Sequence, residues 1–68
     1  MASGTVKWFN STKGYGFIAP ESGGKDIFVH ISAIERSGLT GLADNQKVTF
    51  EVASGRDGRE SAENIELA

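Results

Sequence analysis

The chain is 68 residues long, carries a net charge of −2 and has no cysteine. That length predicts one domain over residues 1–68 with a small core and a net stability of about 3–5 kcal/mol, and the missing thiols exclude disulfides and thiolate metal sites and fit a reducing cytoplasm. No apolar run is long enough to span a membrane and no basic-then-apolar signal pattern opens the chain, so neither membrane nor export is expected.

Residues 4–10 read as the first strand, because Thr5, Val6, Trp8 and Phe9 favour extended backbone. Strict alternation would place Val6 and Trp8 on one face, which predicts either a bulge between them or a different role for one of the two. Residues 11–14 are polar, end in glycine and read as a turn. The second strand covers residues 15–19 and stops at Pro20. Gly23 and Gly24 supply a hairpin turn, followed by a third strand over residues 26–31. Ile27, Val29 and Ile31 share one face of it, and Phe28 and His30 the other.

Residues 32–36 allow one helical turn, with Ser32 as its cap and Glu35 three residues later. Residues 37–46 read as loop, anchored by Leu39 and Leu42. Residues 47–53 give the cleanest strand pattern, with Val48, Phe50 and Val52 alternating with polar residues. Asp57-Gly58 marks a hairpin turn, and residues 61–67 form a fifth strand with Ile65 and Leu67 on one face. Five short strands joined by glycine turns predict an all-β fold, a small five-stranded antiparallel barrel. Its expected core is Val6, Ile18, Ile27, Val29, Ile31, Val48, Phe50, Val52 and Ile65.

Lys13-Gly14-Tyr15-Gly16-Phe17-Ile18 is the most unusual stretch. Tyr15 and Phe17 point to one face, with a glycine between them that packs nothing. Aromatics on strands commonly belong to a core, and a strand glycine commonly marks a bulge. A flat ligand stacking on exposed rings accounts for both features equally. The third strand repeats the spacing with Phe28 and His30. Paired as a hairpin, the two strands would join four rings into one patch, flanked by Trp8.

Charge follows the same division. Through residue 30 the lysines Lys7, Lys13 and Lys25 face only Glu21 and Asp26, while most of the acids lie beyond it. All aromatics except Phe50 also lie in that first half. Rings flanked by lysines fit single-stranded nucleic acid, bound by stacking more than by charge. A barrel that binds a protein or a sugar through the same patch is the competing class. An enzyme is not expected: there is no acid–base pair, no ligand-like spacing for a metal, and no phosphate-binding loop.

These motifs carry a resemblance. Lys13-Gly14-Tyr15-Gly16-Phe17-Ile18 resembles the first ribonucleoprotein motif of the cold-shock domain. Ile27-Phe28-Val29-His30-Ile31 resembles the second. Gly4-Thr5-Val6-Lys7-Trp8-Phe9-Asn10 is similar to the family's opening, and the likeness runs over residues 4–67. The resemblance to bacterial cold-shock proteins implies an OB-type barrel that binds single-stranded RNA and DNA as an ATP-independent RNA chaperone, without cofactor or small-molecule substrate. By matching positions it implies Lys7, Trp8, Lys13, Tyr15, Phe17, Phe28 and His30 as binding residues. Phe9, Asn10, Lys25, Asp26 and Arg56 would border or extend that surface. The expected state is a monomer, with strand exchange as the route to a dimer. Tyr15 stands where phenylalanine is usual, and Ile31 and Leu39 stand where some members carry further aromatics. The turn after Arg56 lacks the proline some members have.

Overall fold

The computed structural model describes residues 2–54 and 60–68. Strands β1 (Ala2–Asn10), β2 (Tyr15–Pro20) and β3 (Ile27–His30) are followed by helix α1 (Ile31–Arg36) and strands β4 (Lys47–Ser54) and β5 (Glu60–Leu67). The five strands close into a barrel in the order β1-β2-β3-β5-β4. β1 is the longest strand and pairs antiparallel with both β2 and β4. β2–β3 and β4–β5 are also antiparallel, and the barrel closes through a parallel contact in which Phe28 faces Ser61. Closure gives every strand a neighbour on both sides.

The tension between Val6 and Trp8 is resolved by a bulge. Val6 pairs with Ile18 and Trp8 with Phe17, so Lys7 is an extra residue on β1. One inserted residue shifts the alternation. Val6 is fully buried, Lys7 and Trp8 are exposed, and Phe9 turns back against the core. Phe9 lies opposite Gly16, and a Cβ on that glycine would sit 2.8 Å from the Phe9 Cα and 2.9 Å from its ring. The Trp8 carbonyl oxygen lies closer still, so the close approach at Gly16 comes from the neighbouring strand β1, at Trp8 and Phe9, and not from a ligand between Tyr15 and Phe17.

The buried core holds Val6, Ile18, Ile27, Val29, Val48, Phe50 and Ile65 as the alternation predicts, and adds Ala33, Ile34 and Ala62. Two expected members are absent. Ile31 is only half-buried, because the chain leaves β3 at His30 and Ile31 opens α1. Val52 is 44% exposed. Among the described residues β4 pairs with β1 through Lys47–Phe50, and beyond Phe50 its described partner is β5, so Val52 has left the closed barrel. A second bulge lies in β5, where two steps along β4 from Thr49 to Glu51 face three along β5 from Glu66 to Glu63. Asn64 takes the left-handed conformation there, at φ 49°, and its amide donates to Glu51 at 2.8 Å. Asparagine tolerates that conformation better than most residues.

Helix α1 does more than the single turn expected of it. Ile34 is fully buried and plugs the barrel alongside Ala33. Its cap is His30, not Ser32: His30 is extended, and its ring accepts the Ser32 N–H. The cap lies two residues earlier than the serine signal implies, because a ring nitrogen takes over the acceptor's part. At the other end the Ser37 hydroxyl donates to the Ala33 carbonyl at 2.8 Å and accepts the Ile65 N–H at 2.9 Å. One side chain thus fastens α1 to β5.

Two stability predictions follow from these contacts. Ser37→Ala leaves a part-buried donor and acceptor without their partner, and urea unfolding should show a loss of about 1–2 kcal/mol. Gly16→Ala must displace the β1 backbone at the Trp8 carbonyl and Phe9, and the same measurement should show a loss of about 1–3 kcal/mol, the cost typical of overpacking. An unchanged urea midpoint for either variant would contradict the contact assigned to it.

Candidate nucleic-acid interface

Pairing register assembles the rings. Tyr15 faces His30 and Phe17 faces Phe28 across β2–β3, while the Lys7 bulge brings Trp8 opposite Phe17 from β1. Ring centroids lie 5.4 Å apart for Trp8–Phe17 and 5.5 Å for Trp8–Tyr15. Tyr15–Phe28 and Phe17–Phe28 are both 5.8 Å apart, and Phe28–His30 is 6.3 Å. Five rings from three strands therefore form one continuous surface on the outside of the barrel. Most meet at steep angles, and only Tyr15 and Phe28 are close to parallel, at 30°. Edge-to-face contacts leave ring faces open while the edges support one another. Trp8 is 38% exposed, Tyr15, Phe17 and Phe28 are half-buried, and His30 is exposed.

The polar residues divide by what they touch. The Lys7 ammonium lies 3.1 Å from the Asp26 carboxylate, and the side chains remain 56% and 35% exposed. Such a pair is worth little in water, about 0–1 kcal/mol, so the cation can be passed to a competing anion at small cost. Asn10 accepts the N–H groups of Thr12 and Lys13 at 2.9 and 3.0 Å. It shapes the β1–β2 turn that carries Lys13, exposed and two residues before Tyr15. Lys25 and Asp26 line a depression of about 360 Å³ together with Phe17, Ile27, Phe28 and Glu60. That hollow extends the aromatic surface toward the β2–β3 turn.

The structure brings Lys7, Trp8, Tyr15, Phe17, Lys25, Asp26, Phe28 and His30 to one side of the barrel, and Lys13 lies in the β1–β2 turn that leads into Tyr15. Phe9 is not part of the ring surface; it lies half-buried on the core side. Arg56 lies outside the described residues. Two residues escaped sequence reasoning. Glu60 stands in the sequence as one of several acids near the fifth strand, but the parallel β3–β5 contact carries it to the rim of the hollow beside Phe28. No sequence signal announces that contact. Ser32 read as a helix cap, yet its N–H and hydroxyl both address the His30 Nδ1, at 3.1 and 2.9 Å. The histidine two residues before it was the available clue. Among the described residues, no three carboxylates or imidazoles gather in a way that could hold a metal ion.

Comparison with known proteins agrees with this geometry. Residues 2–68 match the 'Cold-shock' DNA-binding domain. A probable cold shock protein of Sinorhizobium fredii is 57% identical over 67 residues, which cover 97% of each chain. The cold shock protein CspA of Rhizobium meliloti is 54% identical over the whole of both chains. The cold shock-like protein CspE of Escherichia coli is 53% identical over 94% of this chain and 93% of its own. Barrel, ring surface and full-length similarity lead to one conclusion: the chain belongs to the cold-shock domain family of nucleic-acid-binding domains.

Proposed function

We propose that the protein binds single-stranded RNA and DNA by stacking bases on Trp8, Tyr15, Phe17, Phe28 and His30, and that it acts as an RNA chaperone without ATP. The observation that carries this reading is the continuity of the five rings across three strands. Every base has a π-face, so such a surface holds a strand with loose sequence preference. Lys7, Lys13 and Lys25 serve the phosphates, Asn10 holds the turn that presents Lys13, and Asp26 tempers Lys7. A duplex is a poor ligand, because its bases are already stacked on one another. Binding the open strand then draws a hairpin toward melting by mass action. The protein works as a monomer that holds strands open and so modulates transcription or translation.

Stacking of one base contributes about 1–3 kcal/mol as read by alanine substitution, so four or five platforms offset a considerable association cost. Affinity for a short strand should lie between micromolar and nanomolar. Titration with a short oligothymidine should quench Trp8 fluorescence, and a duplex of equal length should not. Phe17→Ala and Phe28→Ala should each weaken binding by about 1–3 kcal/mol, roughly five- to 150-fold. Silence of Trp8 toward both nucleic acids would sink the reading and leave the rings as a protein or sugar surface. With two or three phosphates neutralised, the log–log salt slope should be about −1.5 to −2. Asp26→Asn releases Lys7 from its partner, so binding should tighten at low salt and the slope should steepen by about 0.7. A molecular-beacon hairpin should open on adding stoichiometric protein alone, and a requirement for ATP would refute the chaperone mechanism.

A further inference from the structure

His30 is tied to α1 through one ring nitrogen only. The Ser32 N–H lies 3.1 Å from Nδ1 and the Ser32 hydroxyl 2.9 Å from the same atom. A backbone N–H can only donate, so Nδ1 must offer its lone pair. A neutral imidazole whose Nδ1 is an acceptor carries its proton on Nε2. Among the described residues nothing pairs with Nε2, and the ring is exposed at the end of the aromatic surface.

We propose that Ser32 fixes the tautomer of His30, so that Nε2–H stands as a hydrogen-bond donor toward an oxygen acceptor of the bound strand. This rests on the nucleic-acid reading above and adds polarity to it. Phe17 and Phe28 offer a base only a face, whereas exposed His30 offers a face and a donor whose direction Ser32 sets. Thymine, uracil, cytosine and guanine each carry a carbonyl oxygen, and adenine carries none. Phosphate oxygens are the other source of the same acceptor chemistry. Ser32 is the positioning residue, because it acts through His30 and not on the strand. The inference makes His30 the place where a loosely specific surface discriminates.

A chain of 68 residues is within reach of total synthesis, which permits a change of one atom group. Replacing His30 with Nε2-methylhistidine keeps the ring and the Nδ1 cap and removes the donor. Oligothymidine affinity should fall about three- to tenfold, the effect of one hydrogen bond. The thermal midpoint and the Ser32 amide resonance should stay where they are in the unmodified protein. Nitrogen-15 spectra at alkaline pH should show the unmodified His30 protonated on Nε2 alone, and the Nε2 proton should be protected from exchange in the complex. A second oligonucleotide, with difluorotoluene in place of thymine, keeps the flat face without carbonyls. If the methyl effect vanishes with it, the acceptor is the base carbonyl; if the effect persists, the acceptor is phosphate. Equal affinity of the methylated and unmodified proteins for oligothymidine, or a proton found on Nδ1, overturns the inference while stacking stands. Failure of the unmodified protein to bind oligothymidine at all removes the nucleic-acid reading and this inference with it, a result distinguishable from the other two.

Discussion

The bulge at Lys7 is the constraint on which the rest depends. A strand that kept strict alternation from Val6 to Phe9 would have to bury Trp8 with Val6 or expose both. One inserted residue lets Val6 enter the core, Trp8 join the outer rings and Phe9 return inward. The return of Phe9 is possible only because Gly16 leaves room on β2. Gly16 in turn separates Tyr15 from Phe17 without adding a side chain, so both rings stay on the outer face. Core and site therefore share one backbone irregularity. A change in the register of β1 would disturb packing and ring surface together.

The ring surface is also a structural element. Each of the five rings lies against at least one other; three of the contacts are edge to face, two are tilted and one is stacked. Such contacts contribute about 0.5–1.5 kcal/mol each beyond burial and hold the side chains in place before any ligand arrives. Rings already immobilised lose little further rotamer freedom on binding, and that lost freedom is one of the principal costs of association. The same packing explains why exposed aromatics persist on so small a domain: Tyr15, Phe17 and Phe28 are half-buried by their neighbours and not stranded in water.

Much of this was legible in the sequence, for definable reasons. Hydrophobic alternation locates the strands, because a barrel buries one face of each, and seven of the nine expected core residues are buried. The spacing of Tyr15 with Phe17 and of Phe28 with His30 places four rings together once the hairpin is assumed. What alternation cannot show is the end of a closed barrel. Val52 fits the period and is nevertheless exposed, because its exposure depends on where β1 stops accompanying β4. Contacts between distant segments were equally invisible. The parallel approach of β5 to β3 puts Glu60 beside Phe28, and the fastening of α1 to β5 by Ser37 joins residues 28 positions apart. The histidine cap was hidden for another reason: serine is the commoner cap, and the ring that replaces it also belongs to the aromatic surface.

Charge determines how the surface can be used. With a net charge of −2, the domain cannot gather nucleic acid by its overall field. Its cations are local, and one of them, Lys7, is held by Asp26, while Glu60 adds a negative charge at the rim of the hollow. These acids limit affinity for any polyanion, and they limit it most where stacking gives nothing in return. A duplex meets the full repulsion and finds no free base faces to offset it. On the proposed reading, an unpaired strand meets the same repulsion but recovers it base by base on the rings. In the function proposed above, acidic composition and aromatic surface therefore act in the same direction, and both favour the open strand. A more basic version of the same face would bind more tightly and discriminate less, because counterion release rewards any nucleic acid alike. Weak general attraction joined to strong local stacking is what a protein needs if it is to open hairpins and then let the strand go.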